Sequence, residues 1–295
     1  MGATIAHGPA ARYLTAMPEL PEVETVRQGL MPALLGRRLA EVSAHRPDLR
    51  FPLPNGFAER LRGRRVDSLD RRAKYLLIGL EGNLTLLVHL GMSGRFQVAS
   101  EDGPRCLHDH VCFVTDRGWT VRFNDARRFG SMDLVESDRL FDHPLLASLG
   151  PEPLGGGFTG PYLAGRLAGR AMALKAALMD QRTVAGMGNI YASESLYRAR
   201  LSPLRAAGSV GAGAARKLVG AIRAVLAEAI EAGGSTLRDH QRPTGELGCF
   251  QHAFAVYDRA GEACPDCRCD LARTGGVQRT VIAGRATFHC PKRQR

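Results

Sequence analysis

The stretch "DQRTVAGMGNIYASE", residues 180–194, decides how the rest of the chain is read. Before it, "MALKAALMDQ" has the composition and spacing of a helix, and after it "IYASESLYRAR" resumes a helix that runs until Pro203. Gly186 and Gly188 break the pattern between them. Glycines in such a turn let backbone approach a phosphate, and Asn189 stands where the free N–H groups of the second helix begin.

Working outward toward the C-terminus, residues 213–232 place Leu218, Ile222, Val225, Leu226 and Ile230 on one helical face and stop at Gly233-Gly234. The polar loop "STLRDHQRPTGELGCF", 235–250, is too long for a simple connector, and such loops are often functional. From 251 the chain returns to short β runs, "AFAVYD" and "RATFHC", around a cluster of cysteines. Toward the N-terminus, "LGPEPLGGGFTGP", 149–161, is rich in Gly and Pro and marks a boundary. Residues 37–135 read as short β runs. "KYLLIGL" and "LTLLVHL" flank a Glu81-Gly82-Asn83 turn, and "VCFVTD" and "WTVRFND" flank Arg117-Gly118, which argues for an antiparallel sheet or sandwich. A short amphipathic helix, with Pro21 at its entry and Val23, Val26 and Leu30 on one face, leads in and is expected to end near Pro32.

The chain of 295 residues carries 40 Lys+Arg against 29 Asp+Glu, a net +11 that points to phosphate-rich partners or anionic surfaces. Most of the excess is Arg, suited to bidentate contacts. No apolar run is long enough to span a membrane, and the first sixteen residues lack the basic opening and apolar run of a secretory signal. Four of the seven cysteines, Cys264, Cys267, Cys269 and Cys290, crowd the last thirty-two residues, which in an intracellular protein suggests a metal site before disulfides.

Taken together, "MPELPEVET", "RRAKYLL", "HLGMSG", "HDHV", "ARRFG", "LGPEPL", "DQRTVAGMGNIYASE" and "GRATFHC" occur in one order across residues 17–293. The chain thereby resembles the bacterial formamidopyrimidine-DNA glycosylase family, repair enzymes that remove oxidised purines and then cut the DNA strand. The resemblance implies an α+β fold with three parts after a non-native or misannotated extension over 1–16. These are an N-terminal antiparallel β-sandwich with a leading helix (17–150), a helix-two-turn-helix DNA-binding domain (151–250) and a C-terminal β-hairpin zinc finger (251–295). It also implies a cytoplasmic monomer acting on double-stranded DNA that contains oxidised bases. An endonuclease VIII-like preference for oxidised pyrimidines is the alternative within the class, and a damage-binding protein without catalysis is the alternative outside it.

The implied chemistry begins at Pro18. A free N-terminal proline is a secondary amine, and α-amines ionise near about 7.7–8.0, so part of it is unprotonated at neutral pH and can attack a sugar C1′. This requires Met17 to be the initiator and to be removed. With the preceding residues attached, the Pro18 nitrogen is an amide and the enzyme is silent. Glu19 is implied as the acid that protonates the opening sugar, a role that needs a raised carboxyl pKa. Lys74 and Arg285 are implied to hold lesion-side phosphates and assist elimination. Met92, Arg127 and Phe129 match residues that fill the void left by the extruded nucleotide, Arg127 facing the orphaned cytosine. His108, Arg170 and Asn189 match DNA contacts, and Lys175 lies on the helix below. The loop 235–250 matches the lesion-base loop, with Cys249 where a tyrosine is usual.

The family's C-x-x-C plus C-x-x-C set suits tetrahedral zinc. Here Cys264-Pro-Asp-Cys267 is followed by Cys290-Pro-Lys-Arg293, and arginine cannot bind zinc. Zinc is expected through Cys264, Cys267 and Cys290, with Cys269, a nearby histidine or water as candidates for the fourth ligand and a metal-free hairpin as the remaining option.

Overall fold

A computed structural model describes residues 17–100, 103–235, 243, 245–267 and 270–295. Residues 1–16, Cys269 and half of the 235–250 loop, 236–242 and 244, lie outside the described residues. In chain order the elements are α1 (Leu20–Leu34), β1 (Leu39–Ala44), α2 (Phe57–Leu61), β2 (Val66–Arg72), β3 (Tyr75–Leu80), β4 (Leu84–His89), β5 (Arg95–Ala99), β6 (Asp109–Thr115), β7 (Thr120–Asn124) and β8 (Ser131–Glu136). There follow α3 (Pro144–Ala147), α4 (Gly160–Leu167), α5 (Leu174–Met179), α6 (Asn189–Ala199), α7 (Ala212–Glu231), α8 (Leu271–Thr274), β9 (Gln278–Ile282) and β10 (Arg285–His289).

The two expected hairpins are present in opposite layers of a sandwich. One sheet has the order β2-β3-β4-β8 and the other β1-β6-β7-β5, all antiparallel. Their facing side chains, among them Leu76, Leu86, Val88, Phe96, Val111, Val121 and Phe123, form one core. The β3–β4 register pairs Tyr75 with His89, so the β2–β3 turn and the end of β4 come out at the same sheet end.

Helix α1 joins this core to a second one. Val23, Val26 and Leu30 pack into the sandwich, while Leu20 packs with the helical half against Leu178, Val184 and Ile190. Glu22 closes a capping box with Glu19, which fixes where the helix begins. The helix does not stop near Pro32 as the sequence suggests but runs through it to Leu34. Near a helix end the loss of one N–H and one local clash can be offset by burying Ala33 and Leu34 in the core.

In the helical half, α5, α6 and α7 pack around Leu174, Leu196, Leu218, Ile222 and Leu226. The tail joins the same core through Phe250, Phe254, Val256, Tyr257 and Phe288. The expected strand in "AFAVYD", 253–258, is absent: the stretch leaves the 3-10 turn Phe250–Ala253 as bends and turns, and its aromatics stack edge to face instead of pairing as a strand. The hairpin partner of β10 is β9, with Arg285 opposite Ile282 at its tip.

Candidate active site and nucleic-acid interface

A cleft of about 280 Å³ opens where the sandwich, the helical half and the terminal hairpin meet. Met17 and Glu19 line it from the start of α1, Lys74, Tyr75 and His89 from the sheet end, Gly188 and Asn189 from the start of α6, and Arg285 from the β9–β10 tip. Pieces far apart in sequence thus reach one place, with α1 bridging both cores.

Glu19 is 3% exposed. Its Oε1 accepts from the Ile190 N–H at 2.9 Å and its Oε2 from the Tyr191 N–H at 3.3 Å, so the carboxyl caps α6. Gly188 makes this approach possible, because a Cβ at that position would collide with the Glu19 carboxyl. A Cβ at Gly186 would meet Leu20 at 2.8 Å. In this structure the two glycines of "VAGMGN" make room for α1 of the same chain. Burial pushes the Glu19 pKa up to about 7, with Lys74 and the two backbone N–H groups pulling against it and Glu22 adding to it. The group therefore exchanges protons in the neutral range, as a general acid must.

Behind Glu19 lies a second carboxylate, Glu22, that accepts from the Tyr191 hydroxyl at 2.5 Å, from Ser235 N–H and Oγ at 2.8 and 2.9 Å, and from the Glu19 N–H at 3.0 Å. Glu22 orients Glu19 and its backbone rather than lining the cleft. Lys74 has its pKa lowered by burial and by Arg285, with Glu19 and Glu22 opposing. Pro18 is buried and follows Met17 in sequence; Met17 lines the cleft beside Glu19, and Pro18 is not among the lining residues while Met17 precedes it.

Asn189 faces the cleft, and its Oδ1 takes a hydrogen bond from Lys175 Nζ at 2.5 Å. Lys175 also donates to Thr287 Oγ1 at 2.8 Å and to the Ala286 carbonyl at 3.1 Å. It is 0% exposed, and burial lowers its pKa to about 7. Its place is therefore under the floor of the cleft, tying α5 to Asn189 and to β10.

The remaining sequence-derived residues lie outside this cleft. Arg127 is exposed, stacks on Phe129 with 4.7 Å between the guanidinium carbon and the ring centroid, and donates its N–H to Ser93 Oγ. Met92 adjoins them through Ser93 and the Gly91–Phe129 approach. Phe129 keeps 39% of its surface open beside Arg127. His108 is exposed with φ 73°, on the loop before β6. Arg170 is half-buried and leans on Asp180 at 3.6 Å and Thr183 Oγ1 at 3.2 Å.

Among the lining residues that sequence reasoning missed, three carry polar groups into the cleft's hydrogen bonds. His89 accepts from the Gly91 N–H at 3.0 Å, and burial lowers its pKa to about 4, so it is neutral. Its signal was a polar residue closing the apolar strand "LTLLVH". Tyr257 approaches Asn189 Nδ2 at 3.4 Å with its hydroxyl pKa pushed up to about 12 by burial. Gln181 holds the α5–α6 turn open for the cleft, accepting from Gly186 N–H at 2.8 Å and donating to the Met187 carbonyl at 2.7 Å.

At the far side of the hairpin the sulfurs of Cys264, Cys267 and Cys290 all lie within 4.8 Å of one another, a group that can hold a metal. Arg293, at the place of a fourth cysteine, turns to Asp266 at 2.9 Å and stacks on Tyr197 at 4.9 Å.

A β-sandwich and a glycine-turned helix pair closing on one cation-lined cleft define the class: a helix-two-turn-helix DNA-processing protein. The model of the formamidopyrimidine-DNA glycosylase N-terminal domain matches residues 17–132, and that of the formamidopyrimidine-DNA glycosylase H2TH domain matches 149–241. The formamidopyrimidine-DNA glycosylase of Rhodospirillum rubrum is 58% identical, over 95% of this chain and all of its own length. Among solved structures, the MutM (Fpg) protein of Thermus thermophilus superposes with a TM-score of 0.82 at 46% identity, over 94% of this chain and 98% of that one. A complex between Lactococcus lactis Fpg and DNA containing N7-benzyl-Fapy-dG gives 0.84 at 31% identity, over 94% and 100%. The chain belongs to the formamidopyrimidine-DNA glycosylase family.

Proposed function

We propose that this cleft removes oxidised purines such as 8-oxoguanine and formamidopyrimidines from double-stranded DNA and then breaks the strand through an imine on Pro18. Family membership makes the protein a base-excision-repair glycosylase whose partner is damaged DNA. The observation that carries the mechanism is Glu19: a carboxyl pKa of about 7, fixed on the α6 N-terminus and flanked by Lys74 and Arg285.

The steps follow from these groups. The Pro18 amine, freed when Met17 is removed, adds to C1′ of the extruded nucleotide as the base departs. Glu19 delivers a proton to the opening sugar oxygen. With the amine proton carried off by the departing base, ring opening gives an iminium that draws electrons, so the 2′ proton passes to the Glu19 carboxylate left by the first step as the 3′ phosphate leaves, a second elimination releases the 5′ phosphate, and water hydrolyses the imine to free Pro18. Lys74 and Arg285 hold those phosphates, Asn189 holds the adjoining one, and Lys175 keeps Asn189 and β10 in place. Met92, Arg127 and Phe129 fill the vacated stack, with Arg127 to the opposite base, while His108 and Arg170 take backbone phosphates. While Met17 stays attached the nitrogen is an amide, and the protein binds damage without cutting it.

The three-part division at 17–150, 151–250 and 251–295 belongs to the same proposal, as does action in the cytoplasm. Among the described residues no helix is long and apolar enough to cross a membrane. Cys264, Cys267 and Cys290 fit zinc, whose soft thiolate preference matches the donor set, and the metal would fasten the hairpin that carries Arg285.

Borohydride trapping on an 8-oxoguanine duplex tests the mechanism. Protein shown by intact mass to begin at Pro18 is expected to give a covalent protein–DNA adduct, and absence of the adduct refutes the imine.

A further inference from the structure

Lys74 occupies the second position of a two-residue hairpin turn between β2 and β3, where Arg72 pairs with Tyr75. The first position is Ala73, with φ 53° and 1% exposure. Positive φ at the first position of such a turn favours glycine, and an alanine there must be held by its surroundings. Both backbone polar groups of Ala73 are held from one place. Its N–H donates to Glu152 Oε1 at 2.6 Å, and its carbonyl accepts from Arg71, whose guanidinium also reaches Glu152 Oε2 at 2.8 Å. Arg72 completes the set, donating to Glu152 Oε1 at 2.9 Å and to the carbonyls of Leu149 and Gly150.

Glu152 itself belongs to the segment that enters the helical half. The Gly150 N–H bonds to the Gln181 carbonyl at 2.8 Å and the Ala185 N–H to the Pro151 carbonyl at 3.1 Å, so this segment is in register with the turn that presents Gly188 and Asn189. Arg71 also meets Glu24 of α1 at 3.2 Å, which ties the same carboxylate to the helix that carries Glu19.

We propose that Glu152 is the positioning residue for Lys74: it locks Ala73 in the left-handed conformation and so aims Lys74 across the domain junction at the DNA phosphate. The inference rests on the assignment of Lys74 to that phosphate. Glu152 touches no reacting atom and acts through the turn.

The test is single-turnover cleavage of an abasic-site duplex by protein beginning at Pro18, well below the melting temperature of every variant. Glu152→Gln is expected to slow cleavage about tenfold, and in a Lys74→Ala background to add no more than about twofold, because the two act on one element. Ala73→Gly, which adopts positive φ unaided, is expected to restore Glu152→Gln to within about threefold of wild type. Restoration by glycine is not expected if Glu152 merely glues the two halves together. Should Glu152→Gln not fold, Glu152→Asp, which keeps the charge but withdraws it by one methylene, enters the same comparisons. An unchanged rate in Lys74→Ala overturns the assignment of Lys74 and this inference with it. A slow Lys74→Ala with a further tenfold loss from the Glu152 variant, no rescue by Ala73→Gly, or a wild-type rate in the Glu152 variant overturns the role of Glu152 alone.

Discussion

Two carboxylates sit on helix α6. Glu19, from another segment, caps its N-terminus through Ile190 and Tyr191. Glu194, one turn along, accepts from the N–H groups of Ala255, Val256 and Tyr257 at 2.8 to 3.0 Å. Burial raises the pKa of both. Only Glu19 faces the cleft, with Lys74 and Arg285 beside it, while both oxygens of Glu194 are taken by tail backbone. A shifted carboxyl becomes a catalytic acid through access to a substrate, and without access it becomes a fastening. Glu194 fastens the tail whose Tyr257 reaches Asn189 and whose hairpin delivers Arg285.

The sharpest way to break that contrast is Glu19→Gln. Base release is expected to fall by about 10²–10⁴-fold, the usual worth of a placed general acid. In the wild type the protonated form is lost as pH rises through about 7, so base release declines on the alkaline side, and the variant loses that limb. A pH–rate profile under single-turnover conditions reads both effects. Activity within tenfold of wild type would remove Glu19 from the acid's role.

The same residue costs stability. Its pKa is raised in the folded state from 4.5 to about 7, so the folded protein binds the proton more tightly than the unfolded chain between those values. Stability from this group is complete below about pH 4.5 and is lost as pH rises through 7, by on the order of 3 kcal/mol at most. Glu19→Gln cannot follow that loss, so its stability relative to wild type is expected to improve steadily between pH 5 and 7. Urea midpoints at pH 5, 6 and 7 measure it, and a constant difference across the three would contradict the raised pKa. Lys175, whose folded pKa is about 7, adds no proton difference until the top of that window.

Glu194→Gln should do the reverse. One buried N–H loses its acceptor, at a cost of about 1–3 kcal/mol. Its melting temperature is expected to drop while the pH profile of base release keeps its shape. A displaced alkaline limb would mean that Glu194 tunes the acid, and the contrast would fail.

The sequence showed this arrangement unevenly, and the reasons are physical. The two central hairpins were legible because alternation and turn residues are local. The start of α1 was legible through Pro21 and Glu22, but its end was not, because the packing of Ala33 and Leu34 against the sandwich outweighs the break at Pro32. "AFAVYD" looked like a strand because β-prone aromatics also suit a stacked cluster in a mixed core. Glu19, Lys74 and Arg285 could be named from motifs. Their meeting depends on Gly188 leaving space for a carboxyl 169 positions away in sequence, which no local pattern records. Lys175 shows the same limit, since its three acceptors come from α6 and β10.

Arg293 carries the comparison to its smallest effect. Its guanidinium lies on Tyr197, and its partner Asp266 is half-exposed, so the ion pair is screened while the stack is not. Arg293→Ala is expected to cost about 1 kcal/mol, with only part of the loss hidden by molar salt. If three thiolates hold the zinc and Arg293 only replaces the strut that a fourth ligand would provide, the variant keeps its metal, whereas Cys290→Ser falls below half an equivalent per chain. Equal zinc loss in the two variants would place the guanidinium within the metal site's own support. Zinc kept in Cys290→Ser would mean that the metal is held elsewhere, and the tail would then owe its order to Glu194 and the aromatic cluster alone.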